Sequence, residues 1–360
     1  MDIEKNLLIL LNLTGLSPVK AKAIAENFVT IDTLLKTEED ALVSVSGIDR
    51  IIARRILDFD RAKLEEELDI AVKTQAKVIT IYDSEYPENL KNIYDPPAVL
   101  YVKGDIRPSD NIAVAIVGSR QATHYGVSMA EKFAYELSIM GVVVASGMAR
   151  GVDSAAHRGA IKANGRTLAV LGSGLARLYP PENKKLAQEI SEHGAVISEF
   201  PTQTPPNPYN FPRRNRVISG LSLGVVVVEA RQKSGALITA NYALEQGREV
   251  FAVPGRADSP SSYGANELIK EGAKMCMSGQ DVLDELNIRP GIAQTLAELK
   301  NNIALGADEE KVYNMISNEP MHIDSIIDRS SLPSQKVSGA IVGLLIKKLV
   351  KELPGKYFVK

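Results

Sequence analysis

Residues 112–118, IAVAIVG, and 224–230, GVVVVEA, are continuous runs of small and β-branched apolar residues, and their reading decides the fold. Four further runs share the pattern: VVVASG at 142–147, TLAVLGSG at 167–174, AVISEF at 195–200 and REVFAVPG at 248–255. A strand with one wet face would carry a polar residue at every second position, so these strands are covered on both sides. Amphipathic segments near 126–140, 152–163, 182–193, 212–221 and 236–246 supply that cover as helices. The alternation predicts an α/β domain, Rossmann-like and doubly wound on a mainly parallel sheet. In such a domain ligands sit beyond the carboxyl ends of the strands, where the glycine-rich loops of this chain also cluster.

Upstream, VITIYD at 78–83 and PPAVLYVKG at 96–104 read as two strands around a proline-punctuated excursion that joins the main sheet. Earlier still, GLSPVKAKAI at 15–24 aligns with GIDRIIARRI at 47–56, so that Gly15 matches Gly47, Ala21 matches Ala53 and Ile24 matches Ile56. Each copy is a helix, a turn glycine and a second helix with a small residue at the close approach, as in tandem helix-hairpin-helix or SAM-like units. Such turns can offer amides to phosphates or can serve packing alone, and Asp49 places an acid where a phosphate would approach. At the other end, DEEKVYNMIS, MHIDSIIDRS and SQKVSGAIVGLLIKKLV are helix-period segments, and KELPGKYFVK closes as a hairpin. That order is winged-helix-like. Ser338, Gly339 and Ala340 offer no base-reading side chains there, while Lys347, Lys348, Lys351 and Lys356 leave DNA binding open. The expected domains are 1–73 (helical), 74–287 (Rossmann-like), a linker with one weak helix at 288–307, and 308–360 (winged-helix-like).

A chain of 360 residues exceeds what one core serves, and 45% hydrophobic with 24% charged residues is an ordinary globular balance. The single cysteine, Cys276, excludes an intramolecular disulfide and a cysteine-based zinc cluster, and points to a reducing compartment. The start MDIEKNLLILLNLTG carries Asp2 and Glu4 where a signal peptide is basic, and no stretch is long enough to span a bilayer, so a cytoplasmic protein without membrane partners is expected. With a net charge of −2, nucleic-acid binding would have to use a local patch.

The loops carry the chemistry. Gly118, Ser119 and Arg120 follow the first core strand, and amides leading to a helix near Gly126 predict an anion site with Arg120 as a fixed positive fork. SGMARGVDSAAH at 146–157 sets Gly147 and Gly151 on either side of Arg150, and matches neither a dinucleotide fingerprint nor a Walker loop. Asp153 is expected to cap the next helix, and His157 to be a structural hydrogen-bonder. PTQTPPNPYNFPRRNRVISG at 201–220 delivers Tyr209 and Phe211, then Arg213, Arg214, Asn215 and Arg216, to a helix start. Three cations there oppose the helix dipole unless an anion joins them or internal ion pairs hold them. Aromatics beside arginines suit single-stranded nucleic acid, whose bases stack while its phosphates are neutralised. Arg231, Lys233, Ser234, Gly235 and Thr239 after GVVVVEA, and Arg256 in VPGR, complete a polyanion cradle. Arg120, Arg214 and Arg216 are expected to converge on one strand. All these loops lie within 112–286, so that stretch is expected to bind single strands without the ends. No cofactor, metal cluster or nucleophile and base pair is read.

With these residues in view, GSR at 118, SGMARGVDSAAHRGA at 146, GSGLARLYPPEN at 172, FPRRNRVISGLS at 211 and VVVEARQKSGALITANYALEQGREVFAVPG at 226 resemble the DNA-processing protein A family (DprA/Smf) over roughly residues 80–285. The resemblance implies single-stranded DNA held in a basic pocket of the Rossmann domain, protection of incoming DNA, homodimerisation, and loading of the RecA recombinase during natural transformation. It carries the family's pocket arginine to Arg120 and its F-P-x-R-N-R motif to Phe211, Pro212, Arg214, Asn215 and Arg216. Many members place a basic or histidine side chain just before the F-P pair, whereas this chain has Tyr209 and Asn210, which shifts weight toward stacking. The alternative is a nucleotide N-glycoside hydrolase of the lysine-decarboxylase-like relatives. That chemistry needs a carboxylate pair, and SGALITANYA offers Asn241 and no acid before Glu245.

Overall fold

The computed structural model describes residues 3–288, 306–317, 320–346, 350–353 and 355–359. The chain divides into two compact units, residues 1–294 and 295–360. The linker expected over 288–307 falls almost wholly outside the described residues, as do Lys347 and Lys348.

The first unit opens with six helices: α1 (Lys5–Leu13), α2 (Pro18–Phe28), α3 (Ile31–Leu35), α4 (Glu39–Val43), α5 (Arg50–Leu57) and α6 (Arg61–Lys73). The apolar run at the start becomes α1, with Leu7, Leu8, Ile9, Leu10 and Leu11 all buried. Gly15 and Gly47 turn the two hairpins at φ +76 and +80, a region that favours glycine. The matched pairs Ala21 with Ala53 and Ile24 with Ile56 are all buried. Asp49 accepts the Ile52 amide at 2.8 Å, so the second hairpin's helix start is already occupied by its own carboxylate.

The main sheet is built from β1 (Lys77–Thr80), β2 (Val99–Gly104), β3 (Ala113–Val117), β4 (Val143–Ser146), β5 (Thr167–Val170), β6 (Gly194–Ser198), β7 (Gly224–Val227), β8 (Glu249–Ala252) and β9 (Lys274–Met275). Their order is β1-β2-β6-β5-β4-β3-β7-β8-β9. Strands β3 to β9 pair in parallel, and β2 lies antiparallel to both β1 and β6. Between them run α7 (Glu88–Lys91), α8 (His124–Ile139), α9 (Val152–Lys162), α10 (Lys184–His193), α11 (Asn210–Gly220), α12 (Gly235–Glu245), α13 (Tyr263–Lys270) and α14 (Gly279–Glu285). Every residue of β3 and β7 is buried, as their continuous apolar composition requires. From β3 the chain winds outward through β4 and β5 to β6, whereas β7 starts on the other side of β3. The loops after β3 and β7 therefore diverge and leave a crevice at the carboxyl edge.

The N-terminal helices share one core with Ala98, Val99 and Tyr101 at β2. They are thus packed onto the outer face of the sheet's β2 region. The second unit has α15 (Ala307–Met315), α16 (Ile323–Ser330) and α17 (Ser334–Ile346), with β10 (Met321–His322), β11 (Lys351–Leu353) and β12 (Tyr357–Val359) in the order β10-β12-β11. Its core includes Val312, Ile326, Val337, Ile341, Leu344 and Phe358, and its architecture is that of a winged helix. Among the described residues, no helix is long and apolar enough to cross a membrane.

Candidate nucleic-acid site

The crevice between β3 and β7 opens into a trough of about 780 Å³. Its walls are the loop 118–121 after β3, Ala149 and Asp153 after β4, Tyr179, the proline-rich approach to α11, and residues 231–236, 238 and 239 after β7. Gly118, Ser119, Arg120, Phe211, Arg214, Asn215, Lys233, Ser234, Gly235 and Thr239 all line it. Ser234 is the N-cap of α12 and accepts the Ala236 amide at 3.3 Å. No acid stands in the first turn of that helix. Arg120, Arg231 and Lys233 are exposed on the rim. Among the described residues none of the three has a carboxylate oxygen within the 4.0 Å of an ion pair.

One arginine of the FPRRNR stretch reaches the trough. Arg214 is buried, donating to the carbonyls of Gly147 at 2.7 Å and Val170 at 2.5 Å and to Asn215 Oδ1 at 3.1 Å. Burial lowers its pKa to about 10, against the pull of Asp153 that raises it. Gly147 makes room for it, because a Cβ there would stand 2.7 Å from the guanidinium. Phe211 sits beside Arg120 and packs where Gly172 lacks a side chain, a Cβ there meeting the ring at 2.5 Å. Tyr179 tilts against the same ring with centroids 5.8 Å apart.

Arg216 corrects the expected convergence. It is buried away from the trough, with Nη2 2.5 Å from Glu199 Oε2, Nε 3.1 Å from Asp95 Oδ2 and Nη1 donating to the Asp95 carbonyl at 2.6 Å. Arg213 also turns to Glu199, at 3.2 Å, and lies over Phe200. The dipole conflict at this helix start is thus relieved by internal acids. Tyr209 is 87% exposed and outside the trough lining. Arg256 also lies outside it and is paired twice with Asp258. Arg150 borders an adjoining cavity of about 260 Å³ together with Gly147, but is ion-paired to Glu182. Gly151, at φ +75, serves loop contact: a Cβ there would collide with the Ser119 carbonyl at 2.2 Å.

Two local expectations change as well, and a third holds. The start of α8 is taken by Glu229, which accepts from the Thr123 amide at 2.9 Å and its hydroxyl at 2.6 Å, so the amides near Gly126 are not an open anion site. Asp153 does not cap α9; its carboxylate accepts the Ala149 amide at 3.2 Å, and burial raises its pKa. His157 is structural. Thr167 donates its hydroxyl to the Val144 carbonyl at 2.7 Å and so accepts from Nδ1 of His157, also at 2.7 Å. Burial pushes the His157 pKa down to about 3. Asn241 lines a separate groove and Glu245 is exposed at the far end of α12, which leaves Asp153 as the acid in the trough lining. Sequence reading did not assign Tyr179 or Asp153 to the site; the aromatic before two prolines was the available signal for the first.

A family model described as DNA recombination-mediator protein A matches residues 77–287. The chain belongs to that family. Models for the DprA winged helix domain and for a SAM-like helix-hairpin-helix tandem match residues 297–356 and 7–59. Protein Smf of Escherichia coli is 37% identical over 327 residues, covering 88% of this chain and 87% of that one. The DNA processing protein DprA of Bacillus subtilis is 47% identical over 209 residues, covering 58% and 70%. The X-ray structure of DprA from Streptococcus pneumoniae superposes with a TM-score of 0.70 at 36% identity, covering 79% of this chain and 99% of that one. A structure described in terms of the single-stranded DNA binding mode of DNA processing protein A from Helicobacter pylori gives a TM-score of 0.53 at 30% identity, covering 59% and 97%.

Proposed function

We propose that this chain binds single-stranded DNA along the β3–β7 trough and acts without catalysis. The observation that carries the reading is the set of three exposed cations, Arg120, Arg231 and Lys233, which face one trough and have no carboxylate partner among the described residues. Unpaired cations beside the acid-free start of α12 suit phosphates. The Phe211 and Tyr179 rings provide apolar surface for bases beside them. Gly118, Ser119, Asn215, Ser234, Gly235 and Thr239 would contribute close backbone approach and hydrogen bonds, with Arg214 as a buried positive floor. The Helicobacter pylori relative, named for its single-stranded DNA binding mode, supports the same ligand here.

Family membership supports the wider role: protection of incoming strands in the cytoplasm, homodimerisation, and delivery of the strand to RecA. A nucleotide N-glycosidase needs two carboxylates about the ribose, and among the described residues the trough lining holds the single acid Asp153. The deciding experiment titrates labelled oligo-dT and a duplex of equal length over a salt series. Preferential, salt-dependent binding of oligo-dT is expected; equal or absent binding would overturn the reading. Release of base from nucleoside monophosphates would overturn its non-catalytic part, and a lone 39 kDa species in sedimentation at micromolar concentration would overturn the dimer.

A further inference from the structure

We propose that Glu199 is a positioning residue for the trough, holding α11 in the rotation that presents Phe211, Arg214 and Asn215 to the strand. The inference rests on the single-strand reading above and deepens it. Phe211, Arg214, Asn215 and Ile218 line the trough, and their spacing of three, four and seven residues is one helix face. Arg213 and Arg216, three apart, form a different face and both end on the Glu199 carboxylate. An anchor on one face of a helix fixes where the other points, because successive residues lie about 100° apart around the axis.

The anchor is itself fixed. Glu199 is 2% exposed at its side chain and follows β6 directly. Its carbonyl accepts from Asn12 of α1 at 3.0 Å, and Glu67 of α6 holds Thr202 three residues on through its amide at 2.6 Å and hydroxyl at 3.0 Å. With Asp95 on the other side of Arg216, two acids meet two arginines behind α11. Breaking one partner of such a buried group leaves an uncompensated charge, so the helix should shift. Glu199 Oε1 is buried without a hydrogen-bond partner among the described residues, and of these only the two arginines hold the carboxylate.

The sign of the effect separates positioning from charge. If Glu199 acted only through its charge, Glu199→Gln would remove a negative charge near a polyanion site and tighten binding. Positioning requires the reverse: oligo-dT affinity should fall roughly tenfold, within the range one stacked base contributes. The slope of log K against log salt should stay unchanged, because no phosphate contact is lost. Arg216→Gln should behave likewise, whereas an arginine on a phosphate would flatten the slope by about 0.7. The double variant Glu199→Gln/Arg216→Gln removes the two buried charges together and leaves unpaired only Arg213 and Asp95, which water reaches, so it should recover most of the affinity. Hydrogen exchange on the full-length free protein gives a readout that needs no DNA: amides 214–217, the first bonded within α11, should exchange faster in Glu199→Gln while the strands keep their protection. Unchanged exchange there, or affinity equal to or tighter than wild type, overturns the inference. Failure of the wild type itself to bind oligo-dT would instead overturn the function proposed above, and the exchange result would still decide the role of Glu199.

Discussion

The guanidinium of Arg120 lies over the ring of Phe211, 4.9 Å from its centroid, and Arg214 approaches the same ring at 5.9 Å. The loop after β3 and the start of α11, far apart in sequence, thus meet as one cation and aromatic surface. A phosphate held by Arg120 and a base laid near Phe211 would belong to neighbouring positions of one strand.

Arg120→Ala is therefore expected to weaken oligo-dT binding at every base composition and flatten the salt slope by about 0.7. Phe211→Ala is expected to cost about 1–3 kcal/mol of binding with little change in slope. Because the two side chains touch, the double variant should lose less than the sum, by about 0.5–1 kcal/mol. Wild-type affinity and slope in a folded Arg120→Ala protein would place the strand elsewhere.

Gly147→Ala tests the buried arginine. The added Cβ would stand 2.7 Å from Cζ and both terminal nitrogens of Arg214, which cannot swing away without abandoning the Gly147 and Val170 carbonyls. Overpacking of this kind costs about 1–3 kcal/mol. Thermal unfolding should register a lowered midpoint together with weaker oligo-dT binding; a neutral substitution would mean that the guanidinium relaxes freely.

The core strands were legible because burial on both faces leaves no polar alternation, as in IAVAIVG and GVVVVEA. The loops were legible as a group because a doubly wound topology gathers the carboxyl ends of β3 and β7. Which arginine of FPRRNR faces the trough was not legible, since that depends on Glu199 and Asp95, partners contributed by two other connections of the sheet. The same applies to Glu229, which follows β7 and reaches Thr123 to close the start of α8. Local sequence could show a helix start with an anion-binding potential, yet not that a carboxylate from another strand end already satisfies it. His157 was legible as structural, and the hydroxyl of Thr167 supplies the reason.

Acid should destabilise the fold through that histidine. Its folded pKa of about 3 lies below the ordinary 6.5, so between those values the unfolded chain binds a proton that the native chain does not. The stability from neutral His157 is complete above pH 6.5 and is lost as pH falls toward 3, at up to about 1.4 kcal/mol per pH unit. Asp153 and Glu199, both raised by burial, contribute the opposite slope in the carboxylate range. The difference between wild type and His157→Gln isolates the histidine: the variant should be less stable at pH 7 and lose less between pH 6 and 4. Parallel pH profiles would refute the assignment.

The docking of the N-terminal helices revises the expectation that the loop-bearing stretch acts alone. Val99 and Tyr101 of β2 are both at 0% exposure, and they pack with the core of α1 to α6. Glu67 of α6 is 5% exposed and accepts both the amide and the hydroxyl of Thr202, on the segment that leads into α11. Glu67→Ala leaves those two donors buried without their acceptor, at a cost of about 1–3 kcal/mol. A chain starting at residue 74 loses that carboxylate and also exposes the β2 face, so it is expected to unfold at lower denaturant and to aggregate. The measurement is urea unfolding of the full chain, Glu67→Ala and residues 74–288, followed by oligo-dT binding at concentrations where each is monodisperse. If the truncated chain unfolds with the full-length midpoint and binds with full-length affinity, the helices are an independent module and the buried contacts through Glu67 carry no support to the trough.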